Sequence, residues 1–137
     1  MIVIDASALT DFLLGRRRAL ETVEEALASQ PHESLHAPEL IEPETLDALR
    51  RLAGRGAVSD ARAAGAVSDL GALRLTRHAH APLRARVWEL RDRLTAYDAT
   101  YLALAEALDA QVLLTSDARL ATRAGASLGN QRVRLTG

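Results

Sequence analysis

The chain has 137 residues, 48% hydrophobic and 26% charged, enough apolar content for one domain with a buried core. Its 17 basic residues, all Arg, stand against 18 acids for a net charge of -1, so no overall basic field is present and nucleic-acid contact would have to use local patches. The absence of Cys excludes disulfides, thiolate zinc sites and cysteine nucleophiles, and 3% aromatic content leaves Ala, Leu and Val to build the core.

The opening stretch "MIVIDASALTDFLLG" carries Asp5 and Asp11 among its apolar residues and has no basic leader, so it does not read as a signal peptide. No run reaches the ~18 apolar residues of a membrane span, and the expectation is a soluble cytoplasmic protein. "IVI" at 2–4 reads as a buried strand, and "DASALTDFLLG" as a short helix capped by Asp5 or Ser7 and ended by Gly15. Residues 19–29 follow as a helix with Leu20, Val23 and Leu27 on one face and acids on the other. "QPHES" is a turn, "LHA" a short strand, and "PELIEPETLDALRRLAGRG" a longer helix delayed or kinked by Pro43 and ended by Gly54 or Gly56.

A Ser59 cap opens the helix at 59–73, "LRLTR" is a short strand, and a further helix runs from Pro82 to Leu94 with Trp88 assigned to the core. "YDATYLALAEALDA" is helical, with Tyr97 and Tyr101 packed around it, and "QVLLTS" is a second clear buried strand. "DARLATRAG" is a helix ended by Gly125, and "QRVRLT" is an edge strand. Strands alternating with helices predict a single α/β domain over 1–137, a three-layer α/β/α sandwich around a short, mainly parallel sheet of about five strands.

Asp5 directly follows the first strand and Asp117 the fourth. In an open parallel sheet the C-terminal ends of strands line one crevice, where ligands bind. If those strands are neighbours, the two acids face each other there. Asp98, in the first turn of the helix leading into the fourth strand, lies on the same side, and Glu44 joins by the same geometry. Taken singly, each acid is an ordinary helix cap or first-turn acid. Together they repel one another, so some take up protons or a cation compensates them. An all-oxygen set suits a hard ion, Mg2+ or Mn2+. Receiver domains and haloacid-dehalogenase-type phosphatases also place an Asp after the first strand, but both rely on a lysine, which is absent here. The phosphatases also want an acid where Ser7 stands.

"MIVIDASAL", "HAPELIEPETLDALRRL" and "LTAYDATYLALAEALDAQVLLTSDARLA" resemble, in order and spacing, the PIN-domain ribonucleases of the VapC toxin type. The resemblance implies a PIN-like fold and a metal-dependent endoribonuclease toxin. It implies that Asp5, Glu44, Asp98 and Asp117 surround Mg2+ or Mn2+, with Asp5 and Asp98 the leading ligands and Glu44 and Asp117 acting partly through waters. Ser7 and Thr115 match hydroxyl positions that support such a cluster. It further implies an RNA substrate, a VapB-like antitoxin that wraps the toxin, and a homodimer.

Several assignments stay open. Glu39 and Glu42 compete with Glu44, and Asp47 stands where the family often has Asn. Arg91 and Arg93 precede the Asp98 segment as candidate contacts to substrate phosphate. "GRRR" at 15–18 either meets phosphate or compensates a helix end. His32, His36, His78 and His80 show no metal-ligand spacing. Without the four acids, 14 acidic residues face 17 basic ones, as an acidic pocket rimmed by arginines would have it. Two other functions remain in play: a catalytically silent PIN-like module that binds RNA or protein, and a nuclease acting on DNA.

Overall fold

A computed structural model describes residues 1–29 and 31–137; Gln30, which opens the expected turn at 30–34, lies outside the described residues. The strands are β1 (Ile2–Ile4), β2 (Leu35–Pro38), β3 (Leu75–His78), β4 (Val112–Thr115) and β5 (Val133–Leu135). The helices are α1 (Ala6–Leu13), α2 (Arg17–Ala28), α3 (Ile41–Gly54), α4 (Asp60–Ala72), α5 (Arg84–Glu89), α6 (Ala96–Ala107) and α7 (Ala118–Leu128). Single 3-10 turns at Ala81–Leu83 and Asn130–Arg132 lead into α5 and β5.

The strands form one sheet in the order β3-β2-β1-β4-β5, and each pairing among the described residues is parallel. The central strand "IVI" and its neighbour "VLLT" are apolar at nearly every position because helices cover both faces, the pattern expected of a buried parallel sheet. The result is the three-layer α/β/α sandwich. Helix α6 lies against β1, β2 and β4 and is buried at every residue from Ala99 to Ala105. That is why its apolar residues go all the way round instead of forming a stripe.

Several local expectations change. The helix predicted over 82–94 stops at Glu89, and residues 90–94 turn through short-range bonds such as Leu94 N–H to Leu90 O at 3.0 Å. Thr95 then takes an extended backbone to cap α6, which ends any continuing helix. The buried or half-buried stripe here is Leu83, Val87, Leu90 and Leu94; Trp88 falls off it and is 67% exposed, not core. Tyr101 is buried, but Tyr97 is 61% exposed.

Gly125 does not end α7. It is buried where the Asn130 side chain crosses closely, a contact a Cβ would block, and the helix continues to Leu128. Gly129, at φ +94°, is the terminator, since that backbone conformation is one L-residues avoid. In α2 the buried face is Ala19, Val23 and Ala26, with Leu20 and Leu27 at its half-buried margins. Among the described residues no helix is long and apolar enough to cross a membrane.

Leu113, 0% exposed on β4 between β1 and β5, should be intolerant of truncation. Leu113→Ala is expected to cost about 2–5 kcal/mol in urea unfolding. Val67→Ala, on the exposed face of α4, should stay within about 0.5 kcal/mol of the parent.

Candidate active site

Chain order along the sheet reverses at β1, with β2 on one side and β4 on the other. Such a switch point opens a crevice beyond the strand C-termini. A cavity of about 280 Å3 lies there, and Asp5, Ser7, Glu44, Arg51, Asp98, Tyr101 and Asp117 line it. Carboxylates that are 39 to 112 positions away from Asp5 in sequence therefore share one wall space.

Asp5 is the hub. Its amide donates to Leu114 O at 3.0 Å, which ties the end of β1 to β4. Its side chain caps α1: Oδ1 accepts from Ala8 N–H at 2.9 Å and from Ser7 Oγ at 2.6 Å, and Oδ2 accepts from Thr115 Oγ1. The hydroxyls continue the network, with Ser116 N–H donating to Ser7 Oγ and Asp117 N–H to Thr115 Oγ1, each at 3.0 Å. At 5% exposure, Asp5 is pushed up to about pKa 6, first by burial and further by the nearby Asp98 charge, against the pull of those hydrogen bonds.

Local sequence places the other three acids. Thr95 Oγ1 accepts from Asp98 N–H at 3.2 Å, so α6 begins with the Asp98 carboxylate in its first turn. Burial raises the Asp98 pKa, and Asp117 opposite raises it further. Asp117 caps α7, with Oδ1 accepting from Arg119 N–H at 2.8 Å and Leu120 N–H at 3.3 Å. Glu44 sits in the first turn of α3, where the missing N–H of Pro43 interrupts no helix bond. Tyr101 donates to Glu44 Oε1 at 2.6 Å, while burial and Asp98 raise the Glu44 pKa.

Glu44 is thus the acid of its segment that lines the cavity. Glu42 pairs with Arg77, Glu39 is exposed at the turn before α3, and Asp47 binds Arg50 and Arg51. Neither Arg91 nor Arg93 lines the cavity; Arg91 lies over the Trp88 ring, 4.5 Å from its centre. Arg16 and Arg17 pair with Asp11 and Glu21. His78 ends β3, with Nε2 2.8 Å from His36 Nδ1. His80 Nε2 accepts from Leu40 N–H. Two cavity residues were not singled out from the sequence as part of the site. Arg51 is two helical turns from Glu44, and Tyr101 one turn from Asp98, so same-face spacing was the signal that could have found both.

The donor set fits a hard divalent ion: carboxylate oxygens around a buried Asp5, mutually repelling, with sulfur and imidazole absent from the lining. Among the described residues no three His, Cys, Asp or Glu side chains are gathered closely enough to hold an ion by themselves. Asp117 Oδ1, Glu44 Oε1 and both oxygens of Asp5 already accept hydrogen bonds, so an ion would use their remaining lone pairs. Mg2+ is commonly held by one or two carboxylates with water in its remaining positions.

A family model described as PIN domain matches residues 2–126. Ribonuclease VapC9 of Mycobacterium tuberculosis is 41% identical over 120 residues, 88% of this chain and 88% of that protein. Ribonuclease VapC1 of the same organism is 39% identical over 125 residues, 90% of each chain. Two solved structures share the fold. VapC20 of Mycobacterium tuberculosis, a sarcin–ricin loop cleaving toxin, has a TM-score of 0.65 at 19% identity, over 90% of this chain and 95% of that one. A toxin–antitoxin complex from Klebsiella pneumoniae has a TM-score of 0.64 at 20% identity, over 100% and 98%.

A raised carboxylate pKa means the folded state holds its proton more tightly than the unfolded chain. Stability linked to Asp5 is therefore full below pH 3.8 and is lost as pH rises through about 6. In chelator, urea unfolding should show a decline of about 3 kcal/mol from this group over that interval. Stability rising with pH across it would contradict the burial of an uncompensated carboxylate.

Proposed function

The chain belongs to the PIN-domain family, of the VapC toxin type, and from that premise we propose that it is a Mg2+- or Mn2+-dependent endoribonuclease, the toxin of a toxin–antitoxin pair. One observation carries the proposal: Asp5, Glu44, Asp98 and Asp117, from four separate elements, line a single crevice with Asp5 buried at its base.

Asp5 and Asp98 would hold the ion directly, with Glu44 and Asp117 assisting through waters. When bound, the ion supplies positive charge against the phosphate and makes water a stronger nucleophile at neutral pH. Ser7 and Thr115 hold both oxygens of Asp5, so its carboxylate cannot swing away. Tyr101 fixes Glu44 in the same manner. Arg51, which pairs with Asp47 through one nitrogen, keeps other donors for a phosphate oxygen. Water oxygen bonds to phosphorus as the bond to the departing ribose oxygen breaks, with one water proton ending on that ribose oxygen and the other staying with the new terminal phosphate.

The kinship with named ribonucleases supports RNA over DNA as substrate. A VapB-like antitoxin covering the crevice, a homodimer and action in the cytoplasm are part of the same proposal, and the structural likeness to a toxin–antitoxin complex supports the antitoxin.

Cleavage of a structured RNA should require Mg2+ or Mn2+ and fall more than about 100-fold in Asp5→Asn and in Asp98→Asn. Thr115→Val, which removes a hydroxyl from Asp5, should cost about 10–100-fold in activity or metal affinity. Undiminished cleavage in excess EDTA would overturn the metal mechanism. Equal cutting of matched DNA would overturn the substrate assignment, and calorimetry showing no metal uptake would point to a silent binding module.

A further inference from the structure

Beside the acidic crevice opens a second cavity of about 270 Å3, which shares Glu44 and Arg51 with it. Leu40, Pro43, Asp47 and Tyr97 complete its lining. Tyr97, 61% exposed, immediately precedes Asp98 in the first turn of α6, and the Thr95 cap fixes that turn. The backbone of Tyr97 is therefore fixed beside the crevice, and its ring lines the second cavity. Nothing in the core accounts for an aromatic ring turned outward there.

The chemistry of the walls selects what can enter. Glu44 and Asp47 repel phosphate, so the annex does not suit a stretch of nucleic-acid backbone. Leu40, Pro43 and the Tyr97 ring suit a flat, neutral, partly apolar group. Arg51 stands where the two cavities meet, with guanidinium nitrogens left over from its bond to Asp47. A nucleotide chain that places its phosphate at the crevice reaches this annex with its neighbouring base.

We propose that the annex seats the nucleobase beside the scissile phosphate in single-stranded RNA, stacked on Tyr97 while Arg51 meets the linking phosphate; the proposal rests on the endoribonuclease assignment above. Unpaired bases can be splayed onto an aromatic ring, whereas a paired base in an A-form helix is already stacked within its duplex. The annex thereby makes an unpaired residue at the cleavage point a requirement of the substrate.

The test is titration with a short single-stranded RNA carrying 2-aminopurine at successive positions, under Ca2+ to keep the strand whole. Wild type, Tyr97→Phe and Tyr97→Trp should quench the fluorescence at one favoured position. Tyr97→Ala should lose that quench and bind about tenfold more weakly, with an unchanged melting temperature because the ring is exposed. The annealed duplex should give no Tyr97-dependent quench. Wild-type-like binding and quench in Tyr97→Ala, or a duplex that quenches equally, would overturn the base seat. An absence of quench with wild type would also overturn it and leave this face to a protein partner. A parallel cleavage assay in Mg2+ separates the two proposals: cutting without a Tyr97-dependent quench sinks the seat and keeps the nuclease, whereas no cutting by wild type sinks the nuclease and, with it, a seat placed at a scissile phosphate.

Discussion

The Asp5 carboxylate at the end of β1 is bound on both oxygens by hydroxyls from α1 and β4, and most of the molecule's organisation passes through it. One side chain caps the start of the first helix, joins β1 to β4 through the Thr115 hydroxyl and lines the acidic crevice. Burial makes its charge costly, Asp98 adds to that cost, and Glu44 and Asp117 line the same crevice, where the four could share a compensating cation. Fold and site are thus not separable here. The residue that stitches β1 to β4 is the one whose charge is left least compensated.

Electrostatics sort the acids of the chain into two populations. Glu42, Asp47 and Glu106 pair with arginines and serve as surface cross-links. Asp5, Glu44 and Asp98 have pKa values raised first by burial and then by a neighbouring acid, Asp98 for the first two and Asp117 for Asp98, and the side-chain hydrogen bonds of Asp5 and Glu44 come from hydroxyls and an amide. Neutral donors fix a carboxylate's direction without satisfying its charge. Such groups remain oriented and ready for an ion, where a salt bridge to arginine would have filled the place.

Helix α6 shows how a buried element carries polar function. Its middle is apolar on every side because it packs over three strands, yet its N-terminal turn reaches the crevice and presents Tyr97, Asp98 and Tyr101. The Thr95 cap makes this abrupt change possible, ending the preceding turn and setting the helical phase within one residue. Trp88, expected inside, is turned outward because Leu83, Val87, Leu90 and Leu94 take the inward stripe ahead of that cap.

Much was legible from residue order alone. Strand-then-acid at Asp5 and Asp117, and an acid in the first turn of a helix at Asp98, are local patterns. In a parallel sheet, local pattern and chain direction together are enough to put strand ends and helix starts on one side. The α/β class and the acids that line the crevice follow from those rules. What only the tertiary structure decided depends on side-chain phase and distance across elements: that Glu44 and not Glu42 turns inward, that Arg51 and Tyr101 join the crevice while Arg91 stacks on Trp88, and that Gly129 and not Gly125 ends α7. A one-residue shift on a helix rotates a side chain by about 100°, so spacing along the chain names the candidates. Packing against partners far away in sequence selects among them.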